Sequence, residues 1–210
     1  MPVELAENLD WVGVVDWGLK HFHGHELSTH RGSTYNAYLI RDEKTALVDT
    51  VWGPFAKEFV TNVRQLIDPA TIDYVVANHA EPDHSGGLPA IMRLCPEATV
   101  VVSKRGAESI PGHYHQQWNL RTVSTGEKIS LGRREMVFVE APMLHWPDSM
   151  FTYVAPDGIL LPNDAFGQHY ATAFRFNDQV NQKELHDEAL KYYANILTPF
   201  SKQVTRKIDE

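Results

Sequence analysis

Ten residues, Asn78-His79-Ala80-Glu81-Pro82-Asp83-His84-Ser85-Gly86-Gly87, limit what this chain can fold into more than any other stretch. Side chains able to bind a metal crowd into it as His79, Glu81, Asp83 and His84. An apolar, β-branched run, Tyr74-Val75-Val76-Ala77, comes before them, and a short helical pattern from Leu88 to Leu94 comes after. The order is strand, ligand-bearing loop, helix. In α/β sheets the loops beyond the carboxyl ends of strands open into a crevice, and sites form there. Pro82 fixes φ, while Gly86 and Gly87 permit positive φ or a close approach of the backbone. Ser85 is expected to cap the next helix, with Pro89 inside its tolerant first turn. Alternation sends His79, Glu81 and Asp83 to one side and turns His84 away from its neighbour, so a single loop can serve two metal ions.

The remaining pattern supplies a scaffold for that loop. Trp11 to Asp16, Tyr35 to Ile40 and Ala46 to Asp49 read as strands. Pro54 opens a helix with Phe55, Phe59, Val63, Leu66 and Ile67 on one buried face, and Asp68-Pro69 stops it. A strand from Asp73 to Ala77 and another beginning at Val100 to Val102 continue a strand–helix–strand rhythm. After that come short strands at Val123, Ile129–Leu131, Met136 to Val139, Met150 to Val154 and Ile159–Leu161, separated by glycine turns. These are expected to form a meander packed on the first sheet. A last helix runs from about Gln182 to Leu197. There is no repeat and no linker, so residues 1–210 are expected to form one domain.

Composition excludes several classes of function. A chain of 210 residues that is 43% apolar, with a net charge of −8, is a folded globular protein with no nucleic-acid surface. The lone Cys95 excludes a disulfide framework and any cysteine-rich metal site, and a reducing cytoplasmic setting is expected. No apolar run approaches the length of a membrane span, and no signal peptide is expected.

Two later spots complement the loop. Met143-Leu144-His145-Trp146-Pro147-Asp148-Ser149 follows one strand and Pro162-Asn163-Asp164-Ala165 follows another, and each places a possible ligand just past a strand end. The resulting order, HxExDH then His145 then Asp164, resembles the metallo-β-lactamase fold in the variant carried by flavodiiron proteins (A-type flavoproteins, flavorubredoxins included). The likeness extends to Phe22-His23-Gly24, Arg31 to Leu39, Asn163 to Gln168 and Tyr192-Tyr193-Ala194-Asn195-Ile196, and so spans nearly the whole chain.

The resemblance implies an α/β chain of the αβ/βα sandwich type carrying two irons. His79, Glu81 and His145 would hold one, Asp83 and His84 the other, with Asp164 bridging. Carboxylate at Glu81, where hydrolytic zinc members carry histidine, makes a harder and more anionic site that suits iron. The implied chemistry is reduction of O2 to water or of NO to N2O. His23 and Tyr193 match positions lining the family's substrate pocket, where a donor could assist protonation. Family members add a further histidine ligand and an FMN-binding flavodoxin-like domain, with rubredoxin-like or flavin donors and a head-to-tail homodimer. On that comparison the present chain is expected to stop before its diiron domain is complete, and to need an external electron donor. The competing readings are a dizinc hydrolase of the same fold and a metal-poor fragment without activity. His21, His25, His30, His113, His115, His169 and His186 carry no assigned role, and Cys95 is expected in the core.

Overall fold

Two β-sheets packed face to face support the loop. The computed structural model describes residues 1–22 and 27–210. The larger sheet has seven strands in the order Val3–Ala6, Leu9–Trp11, Tyr38–Arg41, Thr45–Val48, Tyr74–Ala77, Thr99–Ser103, Leu120–Val123. The first four pair antiparallel, and from Thr45–Val48 onward the neighbours run parallel. The second sheet is an antiparallel meander of Lys128–Ser130, Glu135–Glu140, Met150–Ala155 and Ile159–Leu161.

Period-two alternation explains why the central strands read as unbroken apolar runs. Leu47, Val75, Val100 and Val102 face the layer of helices, packing with Phe59, Val63, Leu88 and Ile91. Their neighbours Val48, Val76 and Val101 face the other sheet and meet Met136, Phe138, Met150 and Val154. A strand covered on both faces has no polar side to present. The helix Ala56–Arg64, entered through a single 3₁₀ turn at Gly53–Phe55, buries Phe59 and Val63 as its spacing requires.

Several boundaries differ from expectation. The run from Trp11 to Asp16 divides into Leu9–Trp11 in the large sheet and Val14–Asp16 in a ribbon with Ser33–Tyr35. Gly13 marks the break: a Cβ there would sit 2.0 Å from the Tyr35 carbonyl oxygen, so only glycine allows the crossing. Leu120–Val123 is the parallel edge strand of the large sheet and not part of the meander. A helix at Gly106–Tyr114 occupies a stretch for which the sequence pattern named no element. The helix expected from about Gln182 to Leu197 is regular over Gln182–Tyr192 and then loosens into a π turn at Tyr193–Leu197, and a further helix, Ser201–Asp209, follows it.

The end of the sandwich remote from the ligand loop is held by Arg134. Its side chain is only 2% exposed; Nε donates to Asp157 Oδ2 at 2.5 Å, and Nη2 donates to the Glu7 carbonyl at 2.6 Å. Asp42 accepts from the Arg134 backbone N–H at 2.8 Å. These bonds join the meander to the outer strands of the large sheet. Arg134→Ala is expected to lower stability by about 2–3 kcal/mol, the worth of charge-assisted bonds whose acceptors lose their partner. A urea midpoint unchanged from the parent would contradict this.

Candidate metal centre

Strand ends of both sheets converge on the ligand loop, and buried polar bonds hold it there. Asn78, the first residue after Tyr74–Ala77, is fully buried and bonded on every side. Its backbone N–H and side-chain amide donate to Asp49 Oδ1 and Oδ2 at 2.8 and 3.1 Å. Thr152 of the meander donates to its Oδ1 at 2.8 Å, and its carbonyl accepts from the Met150 N–H at 2.9 Å. One asparagine therefore fixes the loop against both sheets. Burial raises the Asp49 carboxyl to about 6, against the pull of His84 and Asn78.

Close approach is what the two glycines provide. A Cβ on Gly86 would lie 2.5 Å from the Gly53 nitrogen, and one on Gly87 would lie 2.9 Å from Thr50 Cβ. Ser85 does not cap the following helix, Leu88–Met92, whose N-cap is Gly87. It closes the single turn Pro82–Ser85 and turns back on the loop, its Oγ 2.6 Å from the Ala80 carbonyl and 2.6 Å from the Tyr114 hydroxyl.

The structure brings together all six side chains expected to bind metal. They form two groups, His79–Glu81–His145–Asp164 and Asp83–His84–Asp164, with ligand atoms within 4.8 Å of one another in each. In the first, His79 Nε2 lies 3.2 Å from both Glu81 Oε2 and Asp164 Oδ2, and His145 Nε2 lies 3.2 Å from Glu81 Oε2. In the second, His84 Nε2 is 2.8 Å from Asp164 Oδ1 and 3.6 Å from Asp83 Oδ2. Asp164 belongs to both groups, one oxygen to each.

Charge in this cluster is held by protons on the imidazoles. Burial pulls His84 and His145 down, yet Asp164 with Asp83 or Glu81 lifts them to about 10 and about 9. His79 is likewise raised well above its usual value, with Asp148, Asp164 and Glu81 outweighing its burial. Glu81 falls to about 2 despite its burial, because His145 and His79 donate to it. Burial, with Asp164 and Glu81 nearby, lifts Asp83 to about 7. Asp83 Oδ1 is buried with no hydrogen-bond partner among the described residues. Nitrogen and oxygen donors packed this closely, with a buried oxygen left over, fit a pair of cations.

Asp148 supports the first group. Its Oδ2 stands 3.3 Å from His79 Nδ1 and accepts from the Ala80 N–H at 2.6 Å, so it sets both the ring orientation and the loop. Sequence reasoning gave it no role, although Trp146-Pro147-Asp148 carried the signal. Asp148→Ala is expected to weaken metal binding about 10–100-fold while leaving every ligand in place. Competition with a chromogenic chelator measures this, and parent-like affinity would rule it out.

Aromatic rings close one side. Half-buried Trp146 lies edge-on to His79 with centroids 5.1 Å apart, and His113 stacks on it at 6.0 Å. His113, given no role from sequence, is thus a neighbour of the site. His169, also set aside, is buried, bonded through Nδ1 to Ser33 Oγ at 2.9 Å and packed against Tyr192. Tyr192, next to the expected Tyr193, is the buried tyrosine of the pair, and burial with the charges of Asp164, Asp83 and Glu81 raises its hydroxyl well above the usual value. Successive helical residues point about 100° apart; the buried direction falls to Tyr192, while Tyr193 is partly buried against the same apolar cluster. His23, named with Tyr193, lies outside the described residues, as does His25. Among the described residues no helix is long and apolar enough to cross a membrane.

Comparison with known proteins gives a consistent set of relatives. The family model described as ODP family beta lactamase matches residues 34–208. A nitric oxide reductase of Moorella thermoacetica is 57% identical over 210 residues, covering 100% of this chain and 53% of its own. An anaerobic nitric oxide reductase flavorubredoxin homolog of Escherichia coli O157:H7 is 50% identical over 212 residues, covering 100% of this chain and 52% of its own. Among solved structures, rubredoxin oxygen:oxidoreductase from the anaerobe Desulfovibrio gigas superposes with a TM-score of 0.96 at 39% identity, and the flavodiiron protein from Giardia intestinalis with 0.95 at 37%. Both cover 100% of this chain, against 52% and 51% of their own. The chain spans about half the length of the curated relatives it matches.

Proposed function

Because the chain belongs to the ODP family of beta lactamases, and its relatives include nitric oxide reductases and flavodiiron proteins, we propose that it is a diiron domain that reduces nitric oxide to nitrous oxide, or O2 to water. The observation that carries this reading is Asp164, shared by two ligand groups that meet on its two oxygens. His79, Glu81 and His145 hold one iron in this proposal, and Asp83 and His84 the other. Two adjacent ferrous ions would supply electrons to both substrate molecules together. Glu81 supports iron over zinc, since its carboxylate favours the harder ion.

The protein's own groups have distinct tasks. Asp148 holds His79 in the orientation that keeps Nε2 toward the cluster. Half-buried Trp146 packs edge-on against His79, and His113 stacks on Trp146. The Tyr192 hydroxyl, raised by burial and the nearby carboxylates, stays protonated at neutral pH and can donate a hydrogen bond into the site. In the same proposal FMN on a separate flavodoxin-like domain, fed by a rubredoxin-like donor, delivers electrons within a head-to-tail dimer in the cytoplasm.

Protein produced anaerobically with ample iron tests the assignment. Two irons per chain, and ferrous protein that yields nitrous oxide on mixing with nitric oxide, are expected. Bound zinc together with ester hydrolysis would replace the proposal with the hydrolase reading. Nearly metal-free protein would leave only a fold.

A further inference from the structure

A small cavity of about 60 Å³ opens on the Asp83–His84–Asp164 side of the cluster, beside Ser33, His169 and Tyr192. A larger one of about 220 Å³ lies outward of it, against Trp11, Tyr170 and Arg175. Thr34, Asn36 and Gln168 line both cavities, so these three polar side chains form the wall between them. Two of the three are anchored. Thr34 Oγ1 donates to the Tyr170 carbonyl at 2.8 Å, and Asn36 Oδ1 accepts from Trp11 Nε1 at 2.9 Å. Asn36 is exposed, while Thr34 and Gln168 are half-buried, so the wall reaches from solvent to the inner chamber.

The chemistry of this route is that of water. At roughly 30 Å³ per molecule, the inner chamber has room for about two waters, and each needs two to four polar partners. Ser33, Thr34 and Gln168 supply such partners. Beside His79, in the other ligand group, stand the rings of Trp146 and His113, which offer little to a water chain. A polar wall also penalises an apolar diatomic gas while passing water and protons.

We propose that Thr34, Asn36 and Gln168 form a water-and-proton passage to the Asp83–His84 side of the cluster, with Gln168 as its controlling side chain. The inference rests on the reductase reading above. Each pair of nitric oxide molecules reduced takes up two electrons, from reduced flavin or a chemical reductant, and two protons, and releases one nitrous oxide and one water. Protons must therefore reach the cluster from solvent and water must leave it in every cycle. The wall between the two cavities is where both would cross.

The test compares parent, Gln168→Leu and Gln168→Asn chains loaded with ferrous iron and mixed anaerobically with nitric oxide. Leucine keeps the volume of glutamine and removes its polar head. In Gln168→Leu, single-turnover nitrous oxide formation is expected to slow about tenfold and to show a larger solvent deuterium isotope effect. Iron content and the initial optical change on mixing should match the parent, and Gln168→Asn should recover most of the rate. A crystal structure of each chain provides a readout independent of turnover: ordered water should bridge the two cavities in the parent and be broken in Gln168→Leu. Equal rates, isotope effects and water chains in all three would overturn the passage. A parent that binds no iron would instead sink the reductase reading, and the crystallographic comparison would still decide whether the passage exists.

Discussion

Alanine in place of Asp164 is expected to empty both metal positions at once, leaving well under one ion per chain where the parent is proposed to hold two. His79 and His145 approach one of its oxygens and His84 the other, so among the described residues it is the only side chain common to the two ligand groups. Losing an outer partner such as Asp148 costs about 10–100-fold in affinity, and losing a shared ligand should cost each ion more than that. His84→Ala and His145→Ala give the contrast, since each belongs to one group only and should spare one ion. Metal analysis after anaerobic loading and desalting distinguishes the three patterns. An Asp164→Ala chain that kept both ions would end the idea of a shared carboxylate.

The second large effect is a reversal of pH dependence on metal loading. Without metal, His84 and His145 hold their protons up to about 10 and about 9, and His79 is raised in the same direction. A histidine that binds its proton more tightly when folded contributes stability that is complete below about 6.5 and fades as pH rises through its folded value. For His145 the displacement corresponds to on the order of 3 kcal/mol. Asp83, raised to about 7, acts in the same sense, because ionising it in the buried cluster costs the folded state. Glu81, depressed to about 2, acts oppositely, and its contribution is lost only as pH falls below the usual carboxylate range. The metal-free chain should therefore begin to lose thermal stability from Asp83 above about pH 4 and lose it more steeply above about pH 6.5, where the histidines add their loss.

Metal inverts that slope. The ions require neutral imidazoles and ionised carboxylates, so they compete with the same protons, and binding strengthens as pH rises. Midpoint temperatures of the loaded chain should climb over the interval in which those of the metal-free chain fall. Parallel curves would mean that the ions bind elsewhere. Calorimetry in buffers of different ionisation enthalpy adds a direct count, since loading at neutral pH should release protons.

Much of the architecture could be read from local pattern. The strand Tyr74–Ala77, the helix Ala56–Arg64 and the meander follow from apolar spacing and glycine turns, because burial on one or both faces leaves a periodic trace in the chain. The ligand loop was legible for a similar reason: four donors lie close together in sequence, and Pro82 with the two glycines shapes their path. The split at Gly13 was not, since it depends on the Tyr35 carbonyl passing beneath it. Leu120–Val123 joined the large sheet because parallel pairing with Thr99–Ser103 was available, something no periodicity within the strand encodes.

The surroundings of the cluster show the same division. Residue types and order were enough to single out His79, Glu81, Asp83, His84, His145 and Asp164 as candidate ligands, since each donor sits in or just after a strand-end motif, and the fold brings these donors together. Which of the two tyrosines is buried depended on the rotation of the helix Gln182–Tyr192, which packs in one apolar cluster with Phe151, Leu197 and Val204. His113 reached Trp146, and His169 reached Ser33, only when segments 33 and 136 positions apart were folded together. Donor identity is a property of side chains that the chain carries with it, whereas orientation, enclosure and the route from solvent belong to contacts between distant segments and come into being only when the sheets and helices pack.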